Sequence, residues 1–405
     1  GDRTVYKSDT SGWDGRYSLG DIAPGTYTLE ASLIDTTTGK VSYCAQGVTI
    51  PGAALPLDLI LEEGCSVSYA LNGGGGTPPA SRNVKKGTVI TLPGGKGMTA
   101  PLGSGTAFLR WEAGGQTYQG GSSYPVTANV RFKAKWGVFT TVAEVAAYLA
   151  EFVGEGISAN PLPLPVSIEL SSTGSDNWTA LLSALQTAGE YVDLNLSGST
   201  MSGTNFNPGS ATGQQWIVCL TLPDAATSIA GGSESAPTFG SFSNLQEITG
   251  AKITSIGQFA FMNRTTLSSV NFPKATAIGQ RAFENTGMST VYLPAATSID
   301  YGAFRACNSL KSANLPALTT ISQHTFLHCY SLESVILPSL TTIHYNPFTG
   351  GFITSITINA GCSIDSRGAG IHYNNRKFDI YYETKGRAGG VYIYDQRLED
   401  WTGPF

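Results

Sequence analysis

Two segments, Leu293–Phe304 (LPAATSIDYGAF) and Leu315–Phe326 (LPALTTISQHTF), read almost as copies of one another. Aligned on their last residue, they belong to a period of about 22 residues marked by Phe261, Phe283, Phe304, Phe326 and Phe348. An isoleucine stands five residues ahead of each, at Ile256, Ile278, Ile299, Ile321 and Ile343. Phe272-Pro273, Leu293-Pro294, Leu315-Pro316 and Leu337-Pro338 close the preceding segments. The unit running from Leu245 to Ile358 is L-x-S-V-x-L-P-x-x-T-x-I-x-x-x-A-F-x-x-C-x-S.

A fixed period of about 20–29 residues with leucine at alternating positions marks a leucine-rich solenoid. In the first full unit, Leu267, Val270 and Phe272 point inward on a short strand, and Ser268, Ser269 and Asn271 point outward. Proline then stops the strand, because its ring fixes φ and removes a ladder donor. The T-x-I step makes a second extended side and A-F turns the chain through a third. No coil buries its own apolar side, so each needs a neighbour above and below. The phase continues backwards, more weakly, through Leu220, Leu222, Pro223, Ile229 and Phe239, with an added loop at Gly231–Pro237, and before that through Val192, Leu194 and Leu196.

These residues resemble the BspA-type leucine-rich repeats of bacterial surface proteins, on a Leu-Pro…Ile…Ala-Phe…Cys…Leu spacing that recurs over roughly 110 residues. The resemblance implies a non-enzymatic, adhesin-like protein, secreted or anchored at the cell surface or outer membrane. Its partner would be a host or bacterial surface protein or a glycan. The alternative is a structural spacer or surface-layer component with no specific ligand.

Composition agrees with an extracellular β-rich protein. Only 13% of the 405 residues are charged, 49 are glycine and the net charge is −5. That share of charge is about half the usual one, so Ser, Thr, Asn and Gly must keep the surface soluble. A nucleic-acid binder shows a basic stripe, and none is present. No apolar run reaches the ~18 residues of a membrane span. No signal peptide is present, but residue 1 falls inside an expected domain, so its absence says nothing about targeting, and a targeting segment is not included in this chain. The chain is expected to be monomeric. Its length calls for several domains.

In chain order, residues 1–63 alternate like a small β-sandwich. Asp14–Leu19 (DGRYSL) leads into Ile22–Leu29 (IAPGTYTL) with Pro24-Gly25 as a turn, and Val48–Ile50 and Leu55–Leu61 supply later strands. The pattern resembles carboxypeptidase-regulatory-like domains, a transthyretin-like fold, without its opening strand. Residues 64–137 resemble the internalin-type B repeat, a β-grasp-like spacer, through Val67, Tyr69, Val84, Ile90, Trp111, Val130, Phe132 and Trp136. Asn72-Gly73 is a strong turn dipeptide. The glycines at 73–76 lack the Gly-Lys-Ser/Thr of a phosphate loop and read as a plain loop.

Residues 138–190 change period and are expected to cap the first coil of a solenoid spanning 191–362. Thr141-x-x-Glu144 is a capping box ahead of Val142, Val145, Ala146 and Leu149 on one helical face. Residues 160–165 read as a breaker and Val166-x-Ile168-x-Leu170 as a strand. Ser175 or Asp176 starts a second helix carrying Trp178, Leu181, Leu182 and Leu185 and ending at Gly189. Residues 363–405 are expected to form a β-hairpin cap in which Phe378–Tyr382 pairs with Val391–Tyr394 across a Lys385-Gly386 turn, with Trp401 following. Tyr381, Tyr382, Tyr392, Tyr394 and Trp401 suggest a sugar platform, but aromatics in a cap are more often packing. The fold class is therefore multidomain, with two small all-β modules ahead of a capped solenoid.

The search for chemistry returns little. His324-x-x-x-His328-Cys329 has helical metal spacing, but it lies in a tight solenoid turn, and zinc wants three or four ligands. His324 shares its slot with Phe259, Arg281 and Gly302 in other coils. No G-x-S-x-G elbow exists. No catalytic residue, metal ligand or cofactor is therefore assigned. Of the cysteines at 44, 65, 219, 307, 329 and 362, Cys307 and Cys329 occupy one position in adjacent coils and read as buried thiols, though a bridge between coils about 4.8 Å apart would be within reach.

One outward column remains as a candidate site. The positions before each last inward residue hold Thr249, Asn271, Tyr292, Asn314, Ile336 and Thr357, beside columns that include Lys311 and Glu333. Tyr292 and Ile336 interrupt a small, polar face two coils apart, with Asn314 between. An apolar centre within a polar rim suits a contact site, although β-favouring residues on an exposed strand would look the same.

Overall fold

The computed structural model describes residues 25–34, 41–50, 62–170, 176–365, 372–373, 376–395 and 400–405. The segments Asp14–Leu19 and Leu55–Leu61 and the Ser175 cap, each given a reading above, lie outside the described residues. The chain divides into two compact units, Gly1–Thr99 with Arg110–Lys135, and Ala100–Leu109 with Trp136–Phe405.

In the first unit, Gly25–Ile34 pairs antiparallel with Val41–Ile50 over its whole length, and Val41–Ile50 pairs in turn with Glu62–Ala70. The strand Glu62–Ala70 runs straight through the boundary expected between 63 and 64, so the described strands on both sides share one sheet. Its other partners are Arg82–Lys85, antiparallel, and Val130–Gly137, parallel. Trp111 and Phe132 are fully buried beside Val67, and Trp111 Nε1 donates to the Pro93 carbonyl at 2.6 Å. Asn72 and Gly73 take φ of 50° and 94°, the positive pair of a tight turn closed by Gly74 N to Leu71 O at 3.1 Å.

The second unit is the solenoid. On one side of each coil, parallel strands climb from Leu162–Pro165 through Val192–Asn195, Ile217–Thr221, Glu247–Thr249 and Ser269–Asn271. After an interruption the same side continues as Thr290–Tyr292, Ser312–Asn314, Ser334–Leu337 and Ser355–Ile358. The interruption falls at a coil that is a residue short, where Phe283 and Phe304 are 21 apart, although the 21-residue step from Ser334 to Ser355 keeps its pairing. Two-residue strands form the second side, with Ile229, Ile256, Ile278, Ile299, Ile321 and Ile343 buried in a column.

Between the two sides, the Leu-Pro step closes a β-turn. The N–H of Ala275, Ala296, Leu318 and Leu340 bonds the carbonyl of Phe272, Leu293, Leu315 and Leu337 in turn. Proline at the second position of such a turn supplies the required φ and has no donor to waste. The turn leads to a threonine whose hydroxyl stitches to the coil before it. Thr254, Thr276, Thr297 and Thr341 Oγ1 donate to the carbonyls of Thr227, Thr254, Thr276 and Thr319 at 2.9–3.3 Å.

The third side, read from sequence only as a turn, is itself a hydrogen-bonded ladder. Phe259, Phe261 and Asn263 donate from their backbone N–H to Gln280, Ala282 and Glu284 of the next coil, and the pattern repeats at Arg281, Phe283 and Asn285. Two residues per coil take left-handed backbone to make it fit. Phe259, Arg281, Gly302, His324 and Asn346 have φ of 51–61°, and Asn263, Asn285, Ala306 and His328 have φ of 56–63°. Between them the alanine-phenylalanine pair turns in, and the rings form one buried column. Phe239, Phe261, Phe283, Phe304, Phe326 and Phe348 stack at centroid distances of 4.5–5.9 Å, with Phe206 continuing the column at 6.3 Å.

The two ends differ from the sequence reading. Residues 160–165 are not simply a breaker, since Leu162–Pro165 is the first strand of the solenoid and Leu162, Leu164 and Val166 are buried. Leu162 and Val166 donate to Tyr191 and Asn195, so Pro163 and Pro165 alternate onto the outer edge, where a missing N–H costs nothing and blocks further pairing. Phe139 bonds that edge through Pro165 O and Ser167 N, both at 2.8 Å. Helix Val142–Glu151 follows, with the capping box of Thr141 and Glu144 formed. Val145, Tyr148 and Leu149 make its buried face; Ala146 is exposed. Helix Asp176–Ala188 buries Leu181, Leu182 and Leu185 and ends at Gly189 in left-handed conformation, φ 67°.

At the far end, Phe378–Thr384 is a helix and not a hairpin strand. Phe378, Tyr381 and Tyr382 are spaced i, i+3, i+4, which suits a helix that packs one face, and a run this short carries no decisive period. The hairpin is instead Gly390–Asp395 with Asp400–Thr402, and its first strand pairs antiparallel with Ser355–Ile358, the last parallel strand. Ser363–Ile364 extends the second side past the boundary drawn at 362.

Two measurements test this packing. Phe304 stacks between two rings and Phe348 on only one, so Phe304→Ala should cost about 3–5 kcal/mol in chemical denaturation, and more than Phe348→Ala; equal and negligible losses would break the column. At Gly302 an added Cβ would meet Arg281 Cγ at 3.4 Å, which is ordinary contact, so the backbone decides. Gly302→Asn should change stability by under about 1 kcal/mol, whereas the β-branched Gly302→Val should cost at least about 1–2 kcal/mol in the same assay.

Candidate functional site

The strand side of the solenoid places Tyr292, Asn314 and Ile336 in one row, paired in register, with Thr357 next. Tyr292 is 60% exposed and Ile336 39%, and Ile393, opposite Ser355 at the end of the same sheet, is a third large apolar side chain open on this face. Asn314 sits between them with its side-chain oxygen buried and unbonded. A buried amide oxygen without a donor is a small stored cost. Lys311 and Glu333 are exposed on adjacent rungs of the neighbouring column, joined through the backbone by Glu333 N to Lys311 O at 2.9 Å, and form no ion pair with each other. Asn271 is exposed in the same column as Tyr292, and its strand lies against that of Tyr292 without the ladder hydrogen bonds that join the later rungs.

The third side carries a second constellation. Arg281 lies over the Phe259 ring at 5.4 Å, bonds Glu284, and reaches Glu234 at 3.0 Å. Arg305 joins from the next coil to Glu284 at 3.4 Å. The two carboxylates hold the Arg281 guanidinium still more firmly protonated than usual, Glu284 first and Glu234 second. His324 is flanked by Tyr301 and Tyr345 at ring distances of 5.2 and 5.9 Å, and its Nδ1 shares a 2.9 Å hydrogen bond with Tyr301 Oη. Burial lowers the His324 pKa, and the charges of Arg305 and His328 push it the same way.

Sequence reading placed Arg281 and His324 in one slot but missed the ion pairs and the aromatic stack. The usable signal was Asn263, Asn285 and Asn346 at fixed offsets from the phenylalanines, because asparagine favours left-handed backbone. Such positions turn the following side chains inward and leave their own at the surface, against the same slot of the next coil.

His324, His328 and Cys329 do not converge. His324 meets Tyr301, His328 Nδ1 meets Tyr330 Oη at 3.2 Å, and the Cys329 thiol turns inward onto Phe304 O at 3.0 Å. Cys307 likewise bonds Phe283 O at 3.1 Å, and both cysteines are buried free thiols. Burial pushes the Cys329 thiol well up. Among the described residues no group of three or more His, Cys, Asp or Glu is arranged to hold a metal. The terminal aromatics are packing: Tyr382, Tyr392, Tyr394 and Trp401 are buried, and Tyr382 Oη, with its pKa pushed up to about 12 by burial, bonds Cys362 N and Asn359 O at 3.0 Å.

Residues 235–372 match the BspA type leucine-rich repeat region, in six copies. No curated protein matches the chain. The match begins after the parallel strands do, since Leu162–Pro165, Val192–Asn195 and Ile217–Thr221 already stack in the same sheet. Among the described residues no helix is long and apolar enough to cross a membrane.

The depressed pKa of His324 has a direction in pH. The folded chain binds its proton less readily than the unfolded chain, so the contribution is complete above the unfolded value of about 6.5 and is lost as pH falls below it. His324→Asn suits the left-handed backbone, as Asn346 does one coil on. Thermal melts between about pH 7.5 and pH 5.5 should therefore show a smaller acid shift for His324→Asn than for the parent; identical shifts would exclude His324 as a source.

Proposed function

We propose that this chain is a non-enzymatic bacterial surface protein whose repeat solenoid binds a protein or glycan, in the manner of an adhesin. The reading is supported by the BspA-type repeats at residues 235–372 and by one local observation. On a strand face of Ser, Thr and Asn, the exposed Tyr292 and Ile336 stand in one row, with Asn314 between and Lys311 and Glu333 alongside. Rigid backbone from three-sided stacking holds that row in place without a ligand, which lowers the ordering cost of binding. Secretion or anchoring at the cell surface belongs to the same proposal, as does a spacer role for the β-strands ahead of residue 137.

The competing reading is a structural spacer with no specific ligand, for which the regular stacking alone would suffice. Binding to a panel of extracellular-matrix proteins and a glycan array separates the two: saturable binding at micromolar or tighter affinity supports an adhesin, and uniform absence of binding supports a spacer. For a ligand so found, Tyr292→Ala should weaken affinity by at least about 1 kcal/mol while leaving the melting temperature nearly unchanged, since the side chain is largely in solvent. If Tyr292→Ala and Ile336→Ala are both silent, the contact surface moves to Arg281, Tyr301, His324 and Tyr345.

A further inference from the structure

The position three residues after each ladder phenylalanine is a core position. It holds Phe242, Thr286, Cys307 and Cys329, all buried. In one coil it holds Arg264. The Arg264 Nε is buried and has no hydrogen-bond partner, and no carboxylate among the described residues pairs with the guanidinium. Burial alone pulls its pKa down. The side chain as a whole is half-buried, and a partly desolvated guanidinium with no counter-charge is free to take an anion.

What the guanidinium faces is a cavity of about 380 Å³ in the same unit, within the ~300–1,000 Å³ span of small-molecule sites. The cavity exists because one coil is longer than the rest. Ile229 and Ile256 are 27 residues apart where later isoleucines are 21 or 22 apart. The extra residues form the loop around Ser233–Ala236, which is tied back by Gly232 N to Gln258 O and by Thr238 Oγ1 to Ala230 O, each at 2.8 Å. Opposite Arg264 the wall is hydroxylic. Ser210 and Ser241 share a 2.8 Å hydrogen bond, and Ser235 and Asn263 add polar groups to a lining that also includes Ala236, Pro237, Thr238 and Gly240. Glu234 also borders the cavity, but its carboxylate is bound to Arg281 at 3.0 Å, so that charge is already matched.

From this geometry we infer that the cavity is a binding site for an acidic saccharide, a sugar bearing one carboxylate. Arg264 receives the carboxylate, and the serine hydroxyls and the Asn263 amide receive sugar hydroxyls. One unmatched positive charge suits a monoanion. With no second unmatched cation on the lining, a doubly charged phosphate is left unbalanced, and the cavity is larger than a bare anion fills. The site lies off the Tyr292–Ile336 row and does not depend on what that row binds.

The test is calorimetric titration of the whole chain with glucuronate and N-acetylneuraminate, against glucose, N-acetylglucosamine and acetate. Both acidic sugars, or one of them, should bind saturably, with the neutral sugars and acetate at least about tenfold weaker, the loss of roughly one charge-assisted contact. Arg264→Met should abolish that preference, and Tyr292→Ala should leave it intact. Ser210→Phe, an exposed position on the opposite wall, fills the cavity with Arg264 retained and reads the same site should Arg264→Met not fold. No binding of either acidic sugar, equal binding of glucose, or acidic-sugar binding that survives Ser210→Phe would overturn the inference.

Discussion

Coil-on-coil stacking is the constraint from which the rest of this molecule follows. A coil of about 22 residues, two of its sides strands only two to five residues long, cannot enclose a core, so every inward side chain is completed by the coil above and the coil below. The phenylalanine column shows this most plainly. Neighbouring rings lie 3–20° from parallel from Phe239 to Phe348, and each ring's contacts belong mostly to other coils. The backbone obeys the same rule on all three sides, since strand ladders, threonine hydroxyls and the left-handed third side all direct their hydrogen bonds between coils. Short strands therefore suffice, because length is replaced by repetition.

An array of this kind has two open ends, and they are closed by different means. At the first, prolines at 163 and 165 remove donors from the exposed edge, Phe139 bonds what is left, and two amphipathic helices cover it. At the second, the closing strand is antiparallel, which turns the ladder back on itself. A cluster of Phe378, Tyr382, Tyr392 and Trp401 then fills the space that a further coil would occupy. Both solutions prevent a flat parallel edge from recruiting another chain.

With the interior fixed, the outward positions carry whatever distinguishes this protein. Its strand face is mostly polar, broken by Tyr292, Ile336 and, on the closing strand, Ile393, while the third side collects the ion pairs of Arg281, Glu284, Glu234 and Arg305 beside the Tyr301–His324–Tyr345 stack. The departures from regularity coincide with the chemistry. The coil that gains residues after Ile229 builds the cavity, and the adjacent coil spends a core position on Arg264. Local rules tend to be broken where a site is made.

The period, the inward columns, the Leu-Pro turns and the capping box at Thr141 were determined by the sequence alone, because each is a local pattern repeated at fixed spacing. So was the candidate row, since Tyr292, Asn314 and Ile336 fall in register once the period is known. The strand at Leu162–Pro165 could not be read, because proline is tolerated only on the free edge of a sheet, and which strand is free is a property of the assembled stack. Nor could the helix at Phe378–Thr384, a short apolar run whose period is settled by the aromatic cluster it packs into. The third-side ladder and the cavity beside Arg264 were likewise decided by tertiary structure. Both are relations between residues about one coil apart or more, and their form depends on how far one coil is displaced against the next.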